Sequence, residues 1–233
     1  KGLGGSNPSR SVSPSGSATR RAFFWRLAST TTPTPDPLRH TQRGIALFWA
    51  PLAATWIMMA TEGPFLAAII ARLPDPTFNL AAYGVAFALA ILIEAPVIML
   101  MSAATSLVRD RVSYLKLRNF ARFLSLATTG MLLILLIPSV YVCLTGTVIG
   151  LPTEVADLTY GALWFFLPWP SAIGYRRFLQ GVLIRAGKTR LVAWGTVIRL
   201  LAMVAAALVG FFLLDMPGVW VGGLALGTGV TVE

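Results

Sequence analysis

The chain has 233 residues, 56% hydrophobic and 12% charged, with a formal net charge of +10 and a mean hydropathy of +0.73. That composition leaves no room for a sizeable soluble domain. The bases sit at the edges of apolar runs, where anionic headgroups and not nucleic acid attract them, and a single histidine, His40, with a single cysteine, Cys143, supplies neither a disulfide framework nor a metal cluster.

Residues 1–42 are rich in Gly, Ser, Pro, Thr and Arg, and the run Thr30–Thr31–Thr32 followed by Pro33, Pro35 and Pro37 opposes regular helix. The expectation is a disordered basic tail, inert or upstream of the true coding start. It lacks the apolar centre of a signal peptide, although Phe23, Phe24 and Trp25 between arginines can touch a bilayer surface.

From there apolar runs begin near Gly44, Phe78, Phe123, Leu158, Leu191 and Gly218, the first five of roughly 20 to 28 residues and so long enough to cross a hydrocarbon core of about 30 Å. The fold class read from this pattern is all-α, a polytopic membrane protein whose residues 43–233 form six transmembrane helices. The last run, Gly218 to Glu233, is short, so the chain reads as a fragment truncated at its sixth helix. Its glycines at spacings of four, Gly218 with Gly222 and Gly223 with Gly227, suit close helix packing.

The polar joints alternate in charge. Arg10, Arg20, Arg21, Arg26, Arg39 and Arg43 precede the first run, whereas Arg72 and Asp75 balance in the next joint. Arg109, Arg111, Lys116, Arg118 and Arg122 follow the second run, Glu154 and Asp157 the third, Arg185, Lys188 and Arg190 the fourth, and Asp215 the fifth. Since Lys and Arg near span ends stay on the cytoplasmic side, the pattern places the N-terminus inside a multi-pass protein of a cell or inner membrane.

Charges inside the apolar runs are the strongest functional signal, because each is costly in hydrocarbon unless it meets a partner or water. Four places qualify: Glu62, Glu94, Arg176 with Arg177, and Arg199. Counting the helical rise puts Arg176 and Arg199 about 12 Å from the cytoplasmic end, Glu94 near the middle and Glu62 in the outer half. By this count Glu94 is the ion-pair partner of Arg199 or Arg176. Glu62 has no base at its level except Arg72, so it is expected to bind a proton or small cation or to face a water-filled cavity, or else to take a structural hydrogen bond from Thr55 or from a neighbouring span. Pro64 and Pro96 lie two residues after these glutamates, and Pro168 and Pro170 flank Trp169. Bends of this kind accompany cavities and moving helices.

Gly181-Val-Leu-Ile-Arg-Ala-Gly187-Lys188-Thr189 does not meet the phosphate-loop pattern: it has five residues between the glycines, and an apolar span precedes it in place of a strand. With no nucleophile–histidine pair outside the tail, the chain reads as a non-enzyme.

Several segments resemble multidrug and toxic compound extrusion (MATE) transporters over roughly residues 44–230. They are Leu151-Pro-Thr-Glu-Val155, Phe166-Leu-Pro168, Arg176-Arg-Phe-Leu-Gln-Gly181 and Gly187-Lys-Thr189. Leu80-Ala-Ala-Tyr-Gly-Val85 resembles the opening of that family's second helix, and Ala82-Tyr-Gly-Val-Ala-Phe-Ala88, Leu179-Gln-Gly181 and Val197-Ile-Arg199 are similar to the progressive-ankylosis branch of the same flippase superfamily. The resemblance implies one six-helix lobe of a V-shaped secondary transporter, working in efflux or antiport, with a missing C-terminal lobe or a second copy as its partner. It implies a coupling site for H+ or Na+ at Glu62 and no other cofactor. It also implies a cytoplasmic turn motif at Arg177, Gln180, Gly181, Gly187 and Thr189, and, from arginine in the cavity wall, a small anionic substrate. A lipid-linked oligosaccharide flippase of that superfamily and a non-transporting membrane scaffold are the alternatives.

Overall fold

The computed structural model describes residues 41–214 and 216–233. The tail expected over residues 1–42 therefore lies outside the described residues except for Thr41 and Gln42, as does Asp215. Gln42 already belongs to helix: α1 spans Gln42–Ile70, and the hydroxyl of its N-cap Thr41 accepts from the Gly44 amide at 3.1 Å.

Among the described residues the chain is all-helical. α2 (Pro76–Ile98) starts on a proline, whose missing amide costs nothing in the first turn. It runs into the short α3 (Leu100–Leu107) across a break at Met99. α4 (Arg111–Leu135) opens with a capping box, in which Asp110 accepts from the Ser113 amide at 2.7 Å while the Ser113 hydroxyl reaches back to the Asp110 amide at 3.0 Å. α5 (Pro138–Val142) continues into the π-helical turns Cys143–Ile149, and this unit bends from α4 by 76° at the Ile137–Pro138 joint. α6 (Thr153–Phe165), α7 (Trp169–Arg185), α8 (Thr189–Leu213) and α9 (Gly218–Val232) complete the order.

Three helical stretches are long and apolar enough to cross a membrane: Gln42–Ile70, Pro76–Leu107 and Thr189–Leu213. A fourth is added if α4 and its bent continuation form one span. This falls short of the six uninterrupted crossings expected from sequence, for identifiable reasons. The run from Leu158 breaks at Phe166–Pro168, where Pro170 has no amide to offer the Phe166 carbonyl and the Trp169 amide takes it at 3.0 Å in a tighter turn. α9 has 15 residues, too few to cross unaided. The outer surface nonetheless suits lipid: Trp194, Phe212 and Leu213 are 64%, 72% and 76% exposed, far beyond scattered apolar residues on a water-facing surface.

Packing follows the small residues. α8 lies between α1 and α9, α7 packs on α3 and α4, and α2 packs on α6. α9 approaches closely through its glycines, Gly222 against Ile70 and Tyr83, and Gly223 and Gly227 against Phe165. Its first turn is held by Asn79, whose side-chain oxygen accepts from the Val219 amide at 3.0 Å. Gly181 lets α7 touch α3, since a Cβ there would lie 2.5 Å from both the Met101 carbonyl oxygen and the Ala104 Cβ.

Candidate functional site: a buried cluster of arginines and carboxylates

The break before α7 sets the phase of that helix, and its two faces do different work. Arg176, Arg177 and Gln180 point inward, all buried, and meet α1, α8 and the end of α9. Arg199 of α8 donates through Nη2 to Glu62 Oε2 of α1 at 2.6 Å, with side chains 4% and 7% exposed. Arg176 pairs through Nε with Glu233 and directs Nη2 at Met59 Sδ, 3.7 Å away. Gln180 ties the two sides, donating to Glu233 Oε1 at 3.2 Å while its own oxygen lies 3.5 Å from Arg177 Nη1. The Arg177 guanidinium stands 5.8 Å from the Trp56 ring centroid, in cation–π range. A little apart, the Trp169 indole donates to buried Glu94.

Three expectations from sequence change here. Glu94 is not the ion-pair partner of Arg199 or Arg176: its bonded partner is Trp169, and the arginines pair with Glu62 and Glu233. Nor is Glu62 without a base at its level. Rise counting assumed that the helices start level, but α1 buries nothing before Thr55, so its first part overhangs the bundle and Glu62 sits opposite Arg199. The candidates named for Glu62 are engaged locally, the Thr55 hydroxyl donating to Pro51 O at 2.9 Å and the Arg72 guanidinium to Ala68 O.

The proposed turn motif also divides. Gly187 and Thr189 do form the α7–α8 joint. Gly187 has φ +72°, its amide bonds Ile184 O at 2.9 Å and the Lys188 amide bonds Leu183 O at 2.9 Å, a Schellman ending that favours glycine. Arg177 and Gln180 instead belong to the cluster, and Gly181 to the α7–α3 contact. Sequence reasoning missed Trp169 and Glu233. The signal for the first was an indole donor held between two prolines, and for the second a lone acid at the end of an uncharged helix.

The cluster brings three guanidiniums among three carboxylates, yet its hydrogen-bonding capacity is not used up. Arg176 Nη1, Arg177 Nε, Arg199 Nε and Nη1, and Glu62 Oε1 are buried with no hydrogen-bond partner among the described residues. Buried donors left over in this way are expensive. Four of the five orphans are donors, so the site has spare capacity for an anion or for water. Among the described residues no group of three or more His, Cys, Asp or Glu side chains could hold a metal ion. The chain matches no known protein family, no curated protein and no solved structure.

Proposed function

We propose that this chain is a six-helix lobe of a MATE-like secondary transporter that works by alternating access, with α4–α5 and α6–α7 as bent crossings and α9 as the sixth. The observation that carries the reading is the Glu62–Arg199 pair with its unpartnered neighbours. Apolar side chains of similar volume would hold these helices together at no greater cost than a buried ion pair, and ionisable groups at membrane depth mark ion or substrate paths. Neutralising Glu62 with a proton, or screening it with a cation, removes the counter-charge of Arg199. A negatively charged substrate can then engage Arg199 and the spare donors of Arg176 and Arg177. The two arrangements of the lobe differ in which partner Arg199 has, and that difference couples ion to substrate.

The test is flux in proteoliposomes, comparing small organic anions with cationic dyes, with and without a pH or sodium gradient. Glu62→Gln is expected to leave the protein folded in the membrane while gradient-driven anion flux falls to the background of empty vesicles. Unaltered gradient dependence in that variant would remove Glu62 from the coupling step.

A second reading has its own support. Glu62 and Glu94 are both partnered and both buried, as a non-transporting scaffold requires. It predicts no flux for any solute class, and accessible-surface labelling that does not change with pH or gradient.

A further inference from the structure

The opposite face of α7 bounds a second feature, separate from the cluster. α4 and α7 touch where Gly174 leaves space for the Ser125 side chain and where the Thr129 and Ser171 hydroxyls meet at 2.7 Å. They meet again at the Tyr114–Phe178 ring contact, with centroids 5.4 Å apart. Between these points the helices part around a notch of about 270 Å³, lined by Arg118, Arg122, Leu126, Ser171, Tyr175 and Phe178 among others.

Three observations say what fits there. Arg118 and Arg122 stand one helical turn apart on the same stripe of α4. Among the described residues the ion pairs are Arg199–Glu62 and Arg176–Glu233, so neither notch arginine has an acidic partner. The nearest acid in sequence, Asp110, is spent on its own helix cap. Arg118 Nε is buried with no hydrogen-bond partner among the described residues, although its guanidinium lies near the Tyr114 ring. Immediately along the helix, Phe123 and Leu126 are 68% and 70% exposed, so a largely apolar notch carrying two guanidiniums opens onto a bare apolar flank.

We infer that this notch binds an anionic phospholipid, its phosphate on Arg118 and Arg122, its glycerol region against Ser171 and Tyr175, and its acyl chains along Phe123 and Leu126. A phosphate accepts two guanidinium forks, and basic recesses between apolar helices at the membrane edge select anionic headgroups over zwitterionic ones. The inference rests on the membrane reading of the chain but not on transport, so loss of flux and loss of lipid binding are separately observable.

The experiment is thermal unfolding of the purified full chain in neutral detergent with added phosphatidylglycerol, phosphatidylcholine or inorganic phosphate. Phosphatidylglycerol is expected to raise Tm by about 2–4 °C and the other two by less than a quarter of that. Arg118→Gln with Arg122→Gln abolishes the rise, whereas Lys116→Gln, a base outside the notch, keeps it. Ala121 also lines the notch, so Ala121→Phe fills it with both arginines in place and also abolishes the rise, and the lipid-free Tm of each variant reports that it is folded. An equal rise with phosphatidylcholine, an equal rise with inorganic phosphate alone, or a rise that survives either notch variant overturns the assignment.

Discussion

On one side of α7, Arg176 and Arg177 join Arg199 in a cluster where Glu62, Glu94 and Glu233 lie close and almost no surface reaches solvent. On the other side, Arg118 and Arg122 face the same helix across a notch that holds no acidic side chain among the described residues. The residue type is the same, and depth decides its company. A guanidinium taken fully out of water costs several kcal/mol unless a partner answers it, as carboxylates do for Arg176 and Arg199 and the Trp56 ring and Gln180 do for Arg177, whereas one at the membrane edge can leave its charge for a headgroup or solvent to answer. The first group is tied into the chain itself, and the second is free to bind from outside.

The sharpest way to break the comparison is to remove one charge from each side. Glu62→Ala or Arg199→Ala alone is expected to lose about 3–5 kcal/mol, because each strands a buried charge, while Glu62→Leu with Arg199→Met together loses far less. Arg118→Gln in lipid-free detergent changes stability by no more than about 0.5 kcal/mol. Denaturant unfolding followed by tryptophan fluorescence measures all four. Similar losses on both sides would mean that depth does not separate the groups.

An intermediate effect comes from the helix that divides them. Gly181→Ala puts a methyl against backbone that cannot swing aside, with the Met101 carbonyl oxygen 2.5 Å away, and is expected to cost about 1–3 kcal/mol in the same unfolding experiment. Because it displaces α7 as a body, it should weaken phosphatidylglycerol binding and the cluster together. An effect on only one of them would show that the two faces of α7 are not rigidly linked.

The smallest effect sharpens the edge side. Hydrogen bonds from the backbone amide of Ser113, then from its hydroxyl, hold the Asp110 carboxyl below the usual carboxylate range. A depressed folded value means that the cap stabilises above the unfolded carboxylate value of about 3.9 and that this contribution disappears as pH falls through the lower folded value. The small advantage of the wild type over Asp110→Ala in amide protection at the start of α4 is therefore expected to be complete at pH 5 and above, and to shrink below about pH 4. An advantage that grows on acidification would contradict the cap.

Much of this could be read before any coordinates. Apolar length gave α1, the α2–α3 stretch and α8, because spanning needs only hydrophobicity and helical rise. Glu62, Glu94, Arg176 and Arg199 stood out because ionisable groups in apolar runs have few ways to exist. Their pairing was not legible. Which carboxylate meets which arginine depends on how far α1 slides past α8, and a count along one helix carries no information about that offset. The breaks were half legible: Pro168 and Pro170 announced a weakened helix at Trp169, but not that α6 and α7 separate there, nor that Pro138 would precede a 76° bend and a π-helical turn. Trp169 and Glu233 were given no role because an indole donor and an acid at a helix end acquire meaning only from what stands opposite them.

The lopsided seating of α1 has a mechanical side. Its buried side chains, Thr55, Glu62, Leu66 and Ile70, all fall in the later part of the helix, so the 13 residues from Gln42 to Ala54 form an arm of about 20 Å projecting from its pivot. Tilting such a lever by about 10° sweeps its tip through about 3–4 Å while the pivot hardly shifts. The seat begins at Thr55, about two turns before the Glu62–Arg199 bond, so that bond helps clamp the base of the lever while its free end buries no side chain to restrain it.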